Sequence, residues 1–165
     1  MYDYLLYFLI FSFLGWCAEV IFCLFKTGRI VNRGLANGPF CPIYGIGICL
    51  SYLLLGTVRS FVILALLSMA VATIVEFLVG LFADRTLGVR LWDYTGERGN
   101  ILGYVCPRFS IIWGVVSACA IRLIPRLDPV LDLFKNPAGY AVSVLLLVVI
   151  IVDEKMSMIK PKIIK

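Results

Sequence analysis

Residues 61–83 read FVILALLSMAVATIVEFLVGLFA, an apolar run interrupted only by Glu76. At about 1.5 Å per residue, a helix of this length reaches about 35 Å. A bilayer's hydrocarbon core is about 30 Å thick, so the run suffices to cross it. Composition says the same of the whole chain. Of its 165 residues, 62% are hydrophobic and 15% charged, and the mean hydropathy is +1.01. A soluble domain is about 45–50% apolar and about 25% charged. A chain this short cannot bury so much apolar surface in one core. These values exclude a soluble globular protein and a disordered one, and they imply an all-α, polytopic membrane protein.

Four further apolar runs flank the first. Leu5–Phe25 is interrupted only by Glu19, and Pro42–Val58 is stopped by Arg59. Phe109–Ile124 contains Arg122, and Ala138–Val152 carries no charge. The expectation is five transmembrane helices over 5–25, 42–58, 61–83, 109–124 and 138–152. They form a single transmembrane domain, 1–152, followed by a basic tail, 153–165. The second, fourth and fifth runs fall short of the about 20 residues a span needs. They are expected to borrow flanking residues or to sit where the bilayer is thin. Asp128-Pro129 reads as an N-cap followed by proline at the first helical position. Leu127, Val130, Leu131 and Phe134 then give a short amphipathic helix on the outer face. Met1-Tyr2-Asp3 has no basic region of the kind that opens a cleaved signal peptide, so the first run is expected to stay as a helix.

The net charge of +5 does not point to nucleic acid, because of where the charges sit. Eleven of the fifteen Lys and Arg fall after the first run, after the third, or in the tail. The other four are Arg59, Arg122, Arg126 and Lys135. The positive-inside rule then places the N-terminus outside and the C-terminus in the cytoplasm. Most of the six cysteines lie within apolar runs and read as small buried hydrophobes rather than disulfide partners. The chain has no histidine, and so lacks the usual general base and the commonest metal ligand.

The two halves share an order of residues. Glu19 and Glu76 are each followed, six residues on, by the Phe of a Leu-Phe pair. A basic loop comes next, then Asn32 or Asn100, then Gly-x-x-Cys-Pro ending at Pro42 or Pro107. This predicts a parallel repeat of helices 1–2 and 3–4, with Pro42 and Pro107 opening the second helix of each pair. An ionisable group within a membrane segment is costly and usually faces a cavity or a partner. Glu19 and Glu76 are therefore read as a proton, cation or substrate site about 9 Å deep. Asn32, Arg33, Tyr44, Trp92, Asp93, Tyr94 and Asn100 are candidates to line it. The plain alternative makes each glutamate a structural partner of an arginine or of backbone N–H groups. Cys41 and Cys106, beside helix N-termini, are candidate functional thiols. No catalytic residue, metal site or cofactor is assigned, because nothing activates the thiols and no close-spaced ligand motif occurs.

Six motifs in order carry a resemblance. They are Phe13-Leu14-Gly15-Trp16-Cys17-x-Glu19, Val31-Asn32-Arg33-Gly34, Gly38-Pro39-x-Cys41-Pro42-Ile43-Tyr44-Gly45, Leu91-Trp92-Asp93-Tyr94, Asn100-x-x-Gly103-Tyr104-x-Cys106 and Phe109-Ser110-x-x-Trp113-Gly114. Together they resemble a family of small bacterial membrane proteins, "Putative ABC-transporter type IV" or CmpB-like permeases, over residues 8–125. Pro107 departs from the family's pattern. A weaker similarity runs to the eukaryotic transmembrane protein 229 family. The resemblance implies a permease of the bacterial plasma membrane and names no substrate. The chain has no Gly-x4-Gly-Lys-Ser/Thr motif, so any ATPase would be a separate chain. Its small size implies a homo-oligomer or a partner subunit, with membrane lipids as further partners. The leading expectation is a transport protein with a polar cavity near the cytoplasmic leaflet. The rivals are a membrane enzyme acting on a lipid or lipid-linked substrate, and a non-catalytic partner or lipid-binding subunit.

Overall fold

A computed structural model describes residues 2–28 and 38–159. Five α-helices follow one another: α1 (Tyr2–Thr27), α2 (Pro42–Leu55), α3 (Phe61–Phe82), α4 (Pro107–Leu131) and α5 (Pro137–Ile159). A π-helical turn (Ala83–Leu87) prolongs α3, and a 3-10 turn (Asp132–Phe134) follows α4. Among the described residues there is no strand, only an isolated bridge between Ile101 and Val105.

Among the described residues, four helices are long and apolar enough to cross a membrane, over Tyr2–Phe25, Phe61–Leu87, Pro107–Phe134 and Pro137–Ser157. The fifth, α2, has 14 residues and reaches only about 21 Å. Proline opens α2, α4 and α5, as its missing N–H and fixed φ favour. Ser60 caps α3 by accepting from the Ile63 N–H.

Contacts divide the chain into two compact units. The first comprises residues 1–46 and 128–165. Here α1 packs along α5. The Tyr7 hydroxyl donates to Asp128 at 2.5 Å, and Lys135 bridges Asp3 at 2.6 Å and Asp132 at 2.7 Å. The second unit comprises residues 47–127. Its centre is Leu64, Ala118 and Ile121, with Tyr52, Leu55, Val58 and Ala65 packed around it. Arg122, the charge inside the fourth apolar run, donates to the carbonyls of Val58 and Arg59. It thereby satisfies backbone oxygens in the turn between α2 and α3.

The amphipathic helix expected at 127–134 is not a separate element. Helix α4 continues through Pro125 and Pro129 to Leu131, and only the 3-10 turn follows. Asp128 lies inside α4 rather than at a helix start, and its carboxylate accepts from the Tyr7 hydroxyl. Ile124 and Leu131 are buried on either side of Pro129, and packing overrides the local signal. At the other end, α5 runs past 152 to Ile159, so the basic tail starts as helix.

Candidate functional site

Each glutamate sits on the face of its helix that meets the next helix. On α1 that face carries Phe8, Ser12, Gly15 and Glu19, at intervals of four, three and four residues. On α3 it carries Ala65, Met69, Ala72 and Glu76, at the same intervals. Such spacing stacks side chains along one face of a helix.

In the first unit, Glu19 is half-buried. Its Oε1 accepts from the Tyr44 hydroxyl at 2.7 Å. Tyr44 lies two residues inside α2, and its ring rests against Gly15. A Cβ on Gly15 would sit 2.5 Å from Tyr44 Cβ and closer still to the ring. The neighbouring Gly45 lies over α1, where a Cβ would meet the Phe8 carbonyl oxygen at 2.6 Å and crowd Ser12 Oγ. The start of α2 is tied to α1 by the Cys41 N–H, which donates to the Ser12 carbonyl at 2.9 Å. Just upstream, the Gly38 N–H donates to Asp153 on α5 at 2.7 Å. Asn32 and Arg33, and with them Arg29, lie outside the described residues.

In the second unit, Glu76 is 3% exposed. Its Oε1 accepts from the Tyr94 hydroxyl at 3.0 Å and from the Trp113 indole N–H at 3.2 Å. Trp113 lies on α4, whereas Tyr94 comes from the loop joining α3 to α4 and stacks on Phe109 at 4.7 Å. Gly114 lets α4 approach α3: a Cβ there would meet Met69 Cβ at 2.6 Å and the Ala65 carbonyl oxygen at 2.7 Å.

The loop at 88–106 is heavily cross-braced. The Trp92 indole donates to the Tyr104 carbonyl at 2.7 Å. Asn100 accepts from the Gly103 N–H and donates to the carbonyls of Thr95 and Glu97. Arg90 pairs with Asp93 at 3.7 Å, donates to the Leu102 carbonyl at 2.6 Å and lies over the Tyr104 ring. The Thr95 backbone N–H holds the Asp93 carboxyl below its ordinary value. The Tyr104 hydroxyl donates to Asp84 at 2.5 Å, and this bond pushes the phenol's pKa up. Gly103 requires its φ of +74° and has no room for a Cβ beside Arg90 and Thr95. Among the expected lining residues of this loop, the structure thus brings Tyr94 to the carboxylate, while Trp92, Asp93 and Asn100 fix the loop that delivers it.

The thiols have other surroundings than a helix N-terminus alone suggests. Burial, then the carboxylates of Glu19 and Glu154, push the Cys41 thiol up to about 12. Cys106 is buried. All six cysteines are free. Among the described residues, no three or more His, Cys, Asp or Glu side chains gather as a metal site.

The sequence reading assigns none of Trp113, Phe109, Gly15, Gly45 and Gly114 to the site. The Tyr44-Gly45 and Trp113-Gly114 pairs were visible, but their shared meaning needed the helix faces. Apolar helices with a carboxylate turned toward a neighbouring helix define a polytopic helical membrane protein with polar groups in its interior. The chain belongs to the family described as "Putative ABC-transporter type IV", whose pattern matches residues 6–158. No curated protein and no solved structure matches it.

Proposed function

We propose that the chain is the membrane-spanning permease component of a transport system in a bacterial plasma membrane, with Glu19 and Glu76 exchanging a proton or small cation. The observation that carries this reading is Glu76, a carboxylate buried within an apolar helix and held by a hydroxyl and an indole N–H. These two donors are neutral. A neutral donor favours the ionised carboxylate less strongly than the full positive charge of an arginine does. Arg90, close in sequence to Tyr94, is engaged by Asp93 and the Leu102 carbonyl. The family's description supports a transport role, and the excess of Lys and Arg in the loop after α3 and in the tail supports a cytoplasmic location for both. Tyr44, Tyr94 and Trp113 position the carboxylates, and Asn32 and Arg33 remain candidates from the loop after α1.

Glu76→Gln tests this reading. Glutamine's oxygen can accept from both Tyr94 and Trp113, so the variant should insert and melt within a few degrees of the parent. It should lose proton flux into liposomes holding a trapped pH dye under an imposed potassium diffusion potential. A variant that is strongly destabilised yet carries unchanged flux would overturn the proposal.

A further inference from the structure

The two helix crossings share a register that the loops conceal. Gly45 meets α1 at Ser12 and Phe8, which precede Glu19 by seven and eleven residues. Gly114 meets α3 at Met69 and Ala65, which precede Glu76 by the same seven and eleven. In each case the residue just before the glycine, Tyr44 or Trp113, donates to that glutamate. Seven residues are about two helical turns, or about 10 Å along the axis. A glycine crossing two turns away thus sets how close the donor's helix runs to the carboxylate.

We infer that Gly45 and Gly114, with Gly15 beneath the Tyr44 ring, are positioning residues for the glutamates, and that the α1–α2 and α3–α4 crossings are two copies of one carboxylate-holding unit. The copies align on the glycines rather than on the Cys-Pro pairs. Gly45 lies three residues beyond Pro42, and Gly114 seven beyond Pro107. Helix α4 therefore has about one extra turn between its opening proline and the crossing. That turn moves the position equivalent to Tyr44, counted from the proline, away from the carboxylate. The residue there is Phe109, which has no hydroxyl, and Tyr94 stacks on it and supplies one to Glu76. A glycine kept within a helix costs stability relative to alanine, and a close crossing is what it permits.

This inference deepens the exchange-site reading, and it can be tested without transport. The probe is the infrared carboxyl band of each glutamate, assigned by its loss in Glu19→Gln or Glu76→Gln. Tyr44→Phe and Trp113→Phe remove a donor and define the band shift that its loss produces. Gly15→Ala should shift the Glu19 band as Tyr44→Phe does. Its Cβ would meet Tyr44 at Cβ as well as at the ring, so the start of α2 has to shift to admit it. Tyr44→Phe, which keeps every contact of Gly15, stays measurable if a glycine variant does not fold, and an unmoved Glu19 band in it would also overturn the inference. Gly45→Ala and Gly114→Ala should move the Glu19 and Glu76 bands respectively. Gly47→Ala is the control: a Cβ there has nothing within 4 Å, so it should leave both bands in place. Bands at parental positions in Gly15→Ala and Gly114→Ala would overturn the positioning role. A band shift with no flux in the parent would instead leave the positioning intact and sink the exchange-site reading.

Discussion

Glu19 and Glu76 sit at the same register on equivalent helix faces, yet they are held differently. Tyr44 reaches Glu19 from the second residue beyond Pro42, within a helix that also crosses α1 beside it. Glu76 takes one donor from the helix, Trp113, and a second from a loop, Tyr94. Glu19 is half-buried, whereas Glu76 is 3% exposed. The difference follows from about one added turn in α4. It displaces the short direct route and leaves room for a braced loop to bring a tyrosine back. The shared part of the two units, small residues at the crossing and a carboxylate two turns on, is a matter of backbone approach. The divergent part is the source of the hydroxyl.

The largest effect should come from removing each carboxylate. Glu76→Leu deprives two donors of an acceptor, the Tyr94 hydroxyl and the Trp113 indole N–H. Among the described residues, Glu19→Leu deprives one, the Tyr44 hydroxyl. A buried donor left without an acceptor costs about 1–3 kcal/mol. Unfolding in detergent should therefore show Glu76→Leu as the more damaging variant, by about the cost of one such donor. Equal losses, or a larger loss at Glu19, would break the contrast between the donors described at the two carboxylates.

A smaller effect isolates the hydroxyls. Tyr44→Phe and Tyr94→Phe each keep the ring and remove one hydrogen bond, which contributes about 1 kcal/mol, or up to about 3 with an ionised partner. Glu76 retains Trp113 after Tyr94→Phe. Its carboxyl band should shift less than that of Glu19 after Tyr44→Phe. The double variant Tyr94→Phe with Trp113→Phe should then move the Glu76 band beyond either single change. If the two single tyrosine variants perturb their glutamates alike, Trp113 does not share the load.

Much of this was legible along the chain. The apolar runs, Glu19 and Glu76 within them, and the prolines at 42 and 107 gave the helices and placed the carboxylates. Helix α4 was read too short because Asp128-Pro129 carries a local start signal. Burial of Ile124 and Leu131 and the Tyr7 bond to Asp128 override it. The site was harder. Leu91-Trp92-Asp93-Tyr94 stood out as a group, but its members do different work: Trp92 and Asp93 brace the loop, and Tyr94 reaches Glu76. Which aromatic points at a carboxylate depends on a fold of the loop set by contacts as distant in sequence as Arg90 with Leu102. The glycine crossings were hidden for a similar reason. A glycine in an apolar helix shows its purpose only once the facing helix is known.

The smallest expected effect separates the two units by pH. Tyr94 depends on a loop braced by charge, whereas Tyr44 is carried by a helix. The Asp93 carboxyl is held below its ordinary value of 3.8, first by the Thr95 N–H and less by Arg90. A carboxylate with a lowered folded-state value stabilises the fold above its unfolded value, and that contribution is lost as pH falls through the lowered one. Loosening of the loop should therefore begin below about pH 4. Asp93 is exposed, so solvent screens the pairing and the effect is modest. Hydrogen exchange at residues 88–106, corrected for the intrinsic rate at each pH, should rise between pH 5 and pH 3. Amides 43–46, which include that of Tyr44, should change less. Glu97 is paired with Arg108 at 3.5 Å in the same loop region, so Asp93→Asn isolates the contribution of Asp93. That variant should show raised exchange at pH 5 and a flatter response to acid. An unchanged acid response in Asp93→Asn would move the pH sensitivity to another group. An equal response at 43–46 would remove the contrast between a loop-borne and a helix-borne donor.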